Sequence, residues 1–173
     1  MNLSIFREYD IRGVFPDDLS DEALEKIAHG IAVKCHQQNV DTLAIGRDGR
    51  LSGTYIQEKF IQYLNSKGID TINIGLVTSP LLYFAAKKIS SKSGVMITGS
   101  HNPKNHNGFK TVINDKPVAG EELKQLISLE IKNKRIGTNA SNNSFINNYV
   151  DEVIAKAKAD FGSLKIVIDS GNG

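Results

Sequence analysis

The amino-acid sequence predicts an α/β fold, namely a three-layer α/β/α sandwich with a mixed, mostly parallel sheet. Two observations support this prediction. Short apolar runs of strand length alternate along the chain with longer amphipathic segments of helical period. Glycine-rich or polar turns separate the two kinds of segment. Strands that alternate with helices form a sheet covered by helices on both faces, with right-handed crossovers.

The first half of the chain shows this alternation most clearly. Leu24, Ile27 and Ile31 share one face of a segment that follows a Ser20 cap, which predicts a helix. Gly68 lies where the next helix needs a C-terminal cap. In order, we expect a helix over 20–38, a strand over 42–46, the turn RDGR over 47–50, a helix over about 52–68 and a strand over 71–75.

The second half continues the alternation. In order, we expect a helix over about 78–88, strands over 94–98 and 109–113, a helix near 119–132, a linker over 137–143, a helix with an apolar stripe over 146–157 and a strand within 164–173. A strand at the very terminus predicts the opening of a second α/β domain. We therefore expect residues 1–140 to form one domain, and residues 141–173 to supply a linker helix and the first strand of a truncated second domain.

Length and charge exclude several classes of protein. The 173 residues suffice for one domain with its own core, and 21 Lys plus Arg against 19 Asp plus Glu give a formal charge of +2. That balance is too even for non-specific nucleic-acid binding, and no apolar run is long enough to span a bilayer. The single cysteine, Cys35, cannot form an internal disulfide. We expect a cytoplasmic protein without nucleic-acid or membrane partners.

The most informative part of the sequence is the point where a buried strand ends in a polar loop. The strand over 94–98 is followed by Gly99, and then at once by Ser100 and His101. Because ligand-binding loops lie at the carboxyl ends of strands in an open α/β sheet, we expect Ser100 to be exposed there. Pro103 restricts the backbone, so the loop should be stiff.

Three interpretations of this loop stay open from the residues alone. His101 could activate Ser100 for acyl transfer, although sequence neighbours rarely aim their side chains at each other and the G-x-S-x-G elbow is absent. Ser100 could instead carry a phosphoryl group among cations that stabilise its transfer. The string could also be an ordinary turn with solvated cations nearby. The candidate cations in polar segments are Arg7, Arg12, Arg47, Arg50, Lys104 and Lys110.

Five separated strings, in their order and spacing, point to one family. They are FREYDIRG at 6–13, IGRDGRLSG at 45–53, GLVTSPLLYFAA at 75–86, GVMITGSHNPKNHNGFK at 94–110 and VIDSGNG at 167–173. Together they resemble the α-D-phosphohexomutases, and within them the bacterial phosphomannomutase/phosphoglucomutase branch. The resemblance implies the first domain of an isomerase that interconverts hexose 1-phosphates and 6-phosphates through a phosphoserine and a 1,6-bisphosphate.

The resemblance also implies roles for individual residues. Ser100 becomes the phosphoserine, and one of its phosphoryl oxygens is expected to bind Mg²⁺. Lys110 is a candidate for general acid/base work or for charge stabilisation. Arg12 should contact phosphate or the reacting hydroxyl, and Tyr9 should shape the same cleft.

Two further loop residues and the ligands are implied in the same way. His101 should hold the serine loop or contact the sugar rather than act as a base. Asn102 should fix the loop at the substrate-binding site. The implied substrates are mannose and glucose 1- and 6-phosphates, and glucose 1,6-bisphosphate is the implied activator and intermediate.

The sequence departs from the family in what it lacks. A D-G-D-G-D type Mg²⁺ loop does not occur in it, nor do the sugar-recognition and phosphate-binding loops of the family's third and fourth domains. We therefore expect the fragment alone to be inactive and to act with the remaining domains of the same enzyme. The alternatives are a non-catalytic sugar-phosphate-binding module and the phosphoglucosamine mutase branch, although YDIRG and NGFK resemble the mannose/glucose enzymes more. The final strand, KIVID at 165–169, should lack its sheet partners.

Overall fold

One mixed sheet of seven strands organises the computed structural model, which describes residues 1–132, 135–157 and 162–169. The strands are β1 (Ile11–Val14), β2 (Thr42–Arg47), β3 (Asp70–Leu76), β4 (Gly94–Ile97), β5 (His106–Ile113), β6 (Lys116–Val118) and β7 (Asn139–Ser141). The helices are α1 (Asp21–Gln37), α2 (Gly53–Ser66), α3 (Ser79–Lys88), α4 (Gly120–Leu126) and α5 (Ser144–Ala157), after a 3₁₀ turn at Leu3–Ile5. The spatial order of the strands is β1-β5-β4-β2-β3-β7, with β6 paired to β5.

The pairing directions confirm a mixed sheet within the described residues. β2 pairs in parallel with β3 and β4, and β3 pairs in parallel with β7. β5 pairs antiparallel with β1, β4 and β6. The antiparallel half is therefore as large as the parallel half. It arises because β4, β5 and β6 follow one another through loops, with no helix to carry the chain back across the sheet.

Alternation along the central strands produces two cores, one on each face of the sheet. On β4, Val95 and Ile97 face a core shared with α1, α2 and α4, whereas Met96 faces a second core shared with α3 and α5. Phe60 of α2 and Phe109 of β5 pack in the first core with ring centroids 4.8 Å apart. Two cores on opposite faces confirm the predicted α/β/α sandwich.

The predicted helices are present, and one of them is shorter than expected. α1 begins behind Ser20, whose Oγ accepts a hydrogen bond from the amide of Ala23 (3.4 Å). α4 ends at Leu126, whereas the apolar pattern predicted a helix to 132. Ile127 still packs against the core, and Nε2 of His29 lies 2.6 Å from the carbonyl of Leu129. Contacts with α1 therefore shape this segment where helical periodicity alone predicted more helix.

Three short strands were not predicted, and one predicted strand is not formed in the described residues. β1, β6 and β7 have only three or four residues, too few for a periodic signal, and β7 lies inside the segment predicted as a linker. The predicted strand at 165–169 is not formed in the described residues, where Val167 is 97% exposed and Ile168 is 82% exposed. The rest of the string VIDSGNG, residues 170–173, lies outside the described residues. A strand needs a neighbour to pair with, and no described strand supplies one there, as the sequence analysis expected for KIVID.

α5 is attached to the sheet through α3. Phe145 is buried in the second core, and the ring of Tyr149 meets that of Phe84 edge-on at 5.3 Å. None of the helices in the described ranges is long and apolar enough to cross a lipid bilayer.

Candidate active site

The serine loop, residues 98–105, lies at the carboxyl end of β4, an interior strand between β5 and β2. Ser100 is exposed within this loop, at the end of a central strand as the sequence predicted. Its φ of 54° falls in the left-handed region that few residues other than glycine adopt. Such a backbone persists only where its surroundings hold it.

Two side chains hold the backbone at Ser100. The amide of Ser100 donates to Oγ1 of Thr98 (2.9 Å), and that hydroxyl donates to Oδ2 of Asp48 (2.7 Å). Thr98, the residue in the middle of this chain of hydrogen bonds, is buried. The sequence analysis singled out neither residue, because a polar turn gives no sign that its carboxylate supports a loop fifty residues away.

Arg12 of β1 contacts the serine loop directly. Its Nε donates to Oδ2 of Asp10 (2.8 Å), and Nη1 donates to Oδ1 of Asn102 (3.1 Å) and to the carbonyl of Gly99 (3.5 Å). The Arg12 side chain is only 12% exposed. The structure thus brings together Arg12 and Asn102, two residues that the sequence selected separately.

Lys110 lies on the same face of the sheet as Arg12. Lys110 pairs with Met96 across β4 and β5, and Met96 belongs to the core under α3. Arg12 neighbours Ile11, which is buried on the opposite face, so both cations point toward the α3 side. Within the described residues the Lys110 ammonium has no ion pair, and no hydrogen bond joins it to Ser100.

Two tyrosines belong to the segments around Arg12: Tyr9 precedes Asp10 in the sequence, and Tyr83 belongs to α3, the helix on the sheet face to which Arg12 points. Tyr9 is 78% exposed, and a hydrogen bond with Glu8 raises the pKa of its phenol. Tyr83 of α3 was not predicted as a site residue. Burial raises the pKa of Tyr83, and the negative charge of Asp10 adds to that shift.

A groove of about 1240 Å³ opens beside the serine loop. Its walls are the serine loop and the turn that joins β2 to α2. The lining side chains include Phe15, Ser52, Tyr55, Ser100, His101 and Lys104. An exposed hydroxyl, a histidine and a lysine beside two aromatic rings suit a polar, anionic ligand with a ring.

His101 lies close to Ser100 but lacks the surroundings of a general base. Oγ of Ser100 is 3.4 Å from Nδ1 of His101, so the two neighbours do approach each other, contrary to the expectation from sequence. That distance exceeds the usual length of a hydrogen bond from a hydroxyl. Within the described residues no third group orients the imidazole. The arrangement therefore does not form a Ser-His-Asp type relay.

The other four candidate cations, Lys104, Arg47, Arg7 and Arg50, have different surroundings. Lys104 lines the groove beside Ser100. Nη1 of Arg47 donates to the carbonyl of Asp48 (3.2 Å), and Arg7 lies beside Gly120 at the start of α4. Arg50 turns its guanidinium toward the backbone of the serine loop.

The described residues do not form a magnesium site by themselves. No group of three or more His, Cys, Asp or Glu side chains within the described ranges is arranged to hold a metal ion. The carboxylate of Asp48, which lies beside the loop, accepts hydrogen bonds from Thr98 and from the amide and Nε of Arg50. A phosphoryl oxygen on Ser100 would be a single ligand, so the other ligands must come from elsewhere.

Gly99 is required by the packing of the loop. A Cβ built at Gly99 would overlap the guanidinium of Arg50, which hydrogen bonds hold in place. We expect Gly99→Ala to displace the backbone of Ser100 and to accelerate amide exchange of the serine loop, because the loop or Arg50 must move to make room. Gly49→Ala is the control, because a Cβ there meets nothing within 4 Å. Equal exchange rates of the serine loop in the two variants would contradict this prediction.

A family model, related sequences and a solved structure all match this chain to one family. Residues 3–136 match the family model described as phosphoglucomutase/phosphomannomutase, alpha/beta/alpha domain I. The chain is 38% identical to a phosphoglucomutase of Neisseria gonorrhoeae and 41% identical to a phosphomannomutase/phosphoglucomutase of Pseudomonas syringae pv. tomato, each over 98% of this chain. It spans only 37% of the length of these two relatives. A solved phosphoglucomutase/phosphomannomutase family protein of Burkholderia thailandensis matches 90% of this chain and 36% of its own, with a TM-score of 0.82 and 29% identity.

Proposed function

Because the chain belongs to the phosphoglucomutase/phosphomannomutase family as its alpha/beta/alpha domain I, we propose that it is the phosphoserine domain of a phosphohexomutase. The observation that carries the proposal is Ser100, an exposed hydroxyl held in a left-handed backbone at the end of a central strand. The loop offers that hydroxyl to a groove that also contains Lys104 and His101. We assign residues 1–140 to this domain and residues 141–173 to a linker helix and the start of a second domain.

The proposed reaction exchanges the 1- and 6-phosphates of glucose or mannose in two transfers. The first transfer starts from phosphorylated Ser100. A free hydroxyl of the sugar phosphate attacks the phosphorus of the phosphoserine, and the bond from that phosphorus to Oγ of Ser100 breaks. The hydroxyl gives up its proton as Oγ becomes protonated. This yields the 1,6-bisphosphate. In the second, Oγ of Ser100 loses its proton and attacks the other phosphate of the bisphosphate, the bond from that phosphorus to the sugar oxygen breaks, and the sugar oxygen becomes protonated. The serine is phosphorylated again, so the net change is isomerisation.

Each site residue has a proposed part in these transfers. Arg12 supplies positive charge to phosphate or to the reacting hydroxyl, and Asn102 fixes the loop through its contact with Arg12. Lys110 supplies charge on the same face of the sheet. His101 contacts the serine or the sugar, and Tyr9 borders the cleft.

Mg²⁺ and glucose 1,6-bisphosphate are the proposed cofactor and activator. When bound, Mg²⁺ would offset charge on the transferred phosphoryl group. One ligand would be a phosphoryl oxygen on Ser100, and the others would come from further domains of the same enzyme. We place the enzyme in the cytoplasm, in keeping with Cys35, whose burial raises its pKa to about 12 and leaves an unreactive thiol.

Phosphate mapping by tandem mass spectrometry tests the proposal. The full-length protein is incubated with Mg²⁺ and glucose 1,6-bisphosphate and then digested. Two serines line the groove, and Ser52 differs from Ser100 because its Oγ accepts a hydrogen bond from the buried Asn107 (3.0 Å). We expect phosphate on Ser100 and none on Ser52. An unmodified Ser100 in a folded, metal-loaded protein would overturn the proposal and favour a non-catalytic sugar-phosphate-binding module.

A further inference from the structure

Every N–H of the Arg50 guanidinium donates a hydrogen bond to the serine loop or to a residue beside it. Nη2 donates to the carbonyls of Ser100 (2.9 Å) and Asn102 (2.8 Å). Nη1 donates to the carbonyls of Pro103 (2.6 Å) and His106 (2.9 Å). Nε donates to Oδ2 of Asp48 (3.2 Å). A guanidinium has five N–H donors, and each of the five is matched here by a separate acceptor.

This geometry leaves Arg50 without a donor for phosphate. Its side chain is only 13% exposed, and the carboxylate of Asp48 neutralises its charge. The sequence suggested Arg50 as a phosphate-binding cation, but a saturated guanidinium cannot bind phosphate without giving up contacts with the loop.

We propose that Arg50 is a positioning residue that holds Oγ of Ser100 in its reactive place. The four carbonyls that accept from Arg50 span the loop from residue 100 to residue 106, so one planar group fixes the whole turn. The peptide that contains Ser100 is held on both sides, by Arg50 at its carbonyl and by Thr98 at its amide. This inference rests on the proposed function, because a reactive position has meaning only if Ser100 transfers a group.

A lysine cannot reproduce this arrangement. Its ammonium has three donors on one atom and cannot reach four carbonyls and a carboxylate that lie around a plane. Arg50→Lys therefore keeps the charge and most of the volume while releasing part of the loop. Arg135→Lys is the matched control, since Arg135 also bridges a carbonyl, that of Gly68 (2.7 Å), and a carboxylate, that of Asp70, beside β3 and away from the serine loop.

Both substitutions are made in the full-length protein, and two quantities are measured. For Arg50→Lys we expect kcat with glucose 1-phosphate to fall roughly 10²-fold, with KM changed less than about threefold, since the groove keeps its own cations. We also expect amide exchange of residues 99–106 to accelerate, as followed by mass spectrometry. Arg135→Lys should change neither quantity. An increase in KM at unchanged kcat, or an unchanged exchange rate at 99–106, would overturn the inference.

A second variant covers the case in which Arg50→Lys does not fold. Asp48→Asn leaves the guanidinium in place and removes the negative charge that faces both Nε of Arg50 and the hydroxyl of Thr98, so residues 99–106 should still exchange faster than in the wild type. Unchanged exchange in a folded Asp48→Asn protein would also contradict the inference. The exchange rate does not depend on turnover. Absence of phosphate on wild-type Ser100 would therefore refute the proposed function, whereas unchanged exchange would refute the role of Arg50.

Discussion

Ser100→Ala in the full-length protein is expected to lower kcat for conversion of glucose 1-phosphate to glucose 6-phosphate by roughly 10⁴-fold or more, the scale on which removal of a covalent carrier acts. The variant has no atom to which the phosphoryl group can be transferred. Ser100 is exposed within the serine loop, so the loss of one hydroxyl should hardly change thermal stability. Coupled-enzyme kinetics and a thermal melt of the same sample measure the two effects.

Two further variants test whether the effect comes from the Ser100 hydroxyl. Ser100→Thr keeps a hydroxyl but adds a methyl group at a φ of 54°, where a β-branched side chain is strained. We expect it to retain more activity than Ser100→Ala and less than the wild type. Ser66→Ala is the control, because the Ser66 hydroxyl donates to the carbonyl of Tyr63 within α2, far from the serine loop. Turnover near the wild-type rate in Ser100→Ala would refute the role of Ser100 as carrier.

The sequence predicted those parts of the fold that follow from local periodicity. α1 and β2 were found within a residue or two, because an apolar stripe behind a Ser20 cap and a short apolar run are signals within one segment. The end of β4 was found in the same way, and with it the exposed position of Ser100. The segment 165–169 is not a strand among the described residues, because apolar, β-branched residues favour a strand but do not provide the neighbour that pairs with it, as the sequence analysis expected for KIVID.

The support of the candidate site could not be predicted, because it depends on pairs that are distant in sequence. Asp48 and Thr98 are fifty residues apart, and Arg50 binds carbonyls whose positions are set by the path of the loop. The string RDGR correctly predicted a turn, but it did not indicate that the side chains of this turn contact the serine loop. Backbone carbonyls have no sequence signature. In the amino-acid sequence, an arginine that binds carbonyls therefore cannot be told from one that binds phosphate. Only the assembled sheet, which brings the ends of β2 and β4 together, distinguishes the two.

Lys110→Gln is expected to lower kcat roughly 10²- to 10³-fold in the full-length protein, within the range of a lost charge-stabilising group. Lys110 is half-buried on the α3 face, and no carboxylate among the described residues pairs with it, so its positive charge is available to an incoming phosphate. Lys116→Gln is the control, since Lys116 is an exposed lysine on β6. Steady-state kinetics should show the loss for Lys110→Gln alone, and equal rates for the two variants would remove Lys110 from the site.

Lys110→Arg then separates the two chemical roles open to this residue. Arginine keeps the charge but does not release its proton at any pH at which the protein is folded. Because the Lys110 ammonium faces the same side of the sheet as the Arg12 guanidinium, we expect it to act by charge, and Lys110→Arg should recover at least tenfold of the activity lost in Lys110→Gln. If Lys110→Arg were as inactive as Lys110→Gln, with both proteins folded by circular dichroism, proton transfer by Lys110 would be required instead.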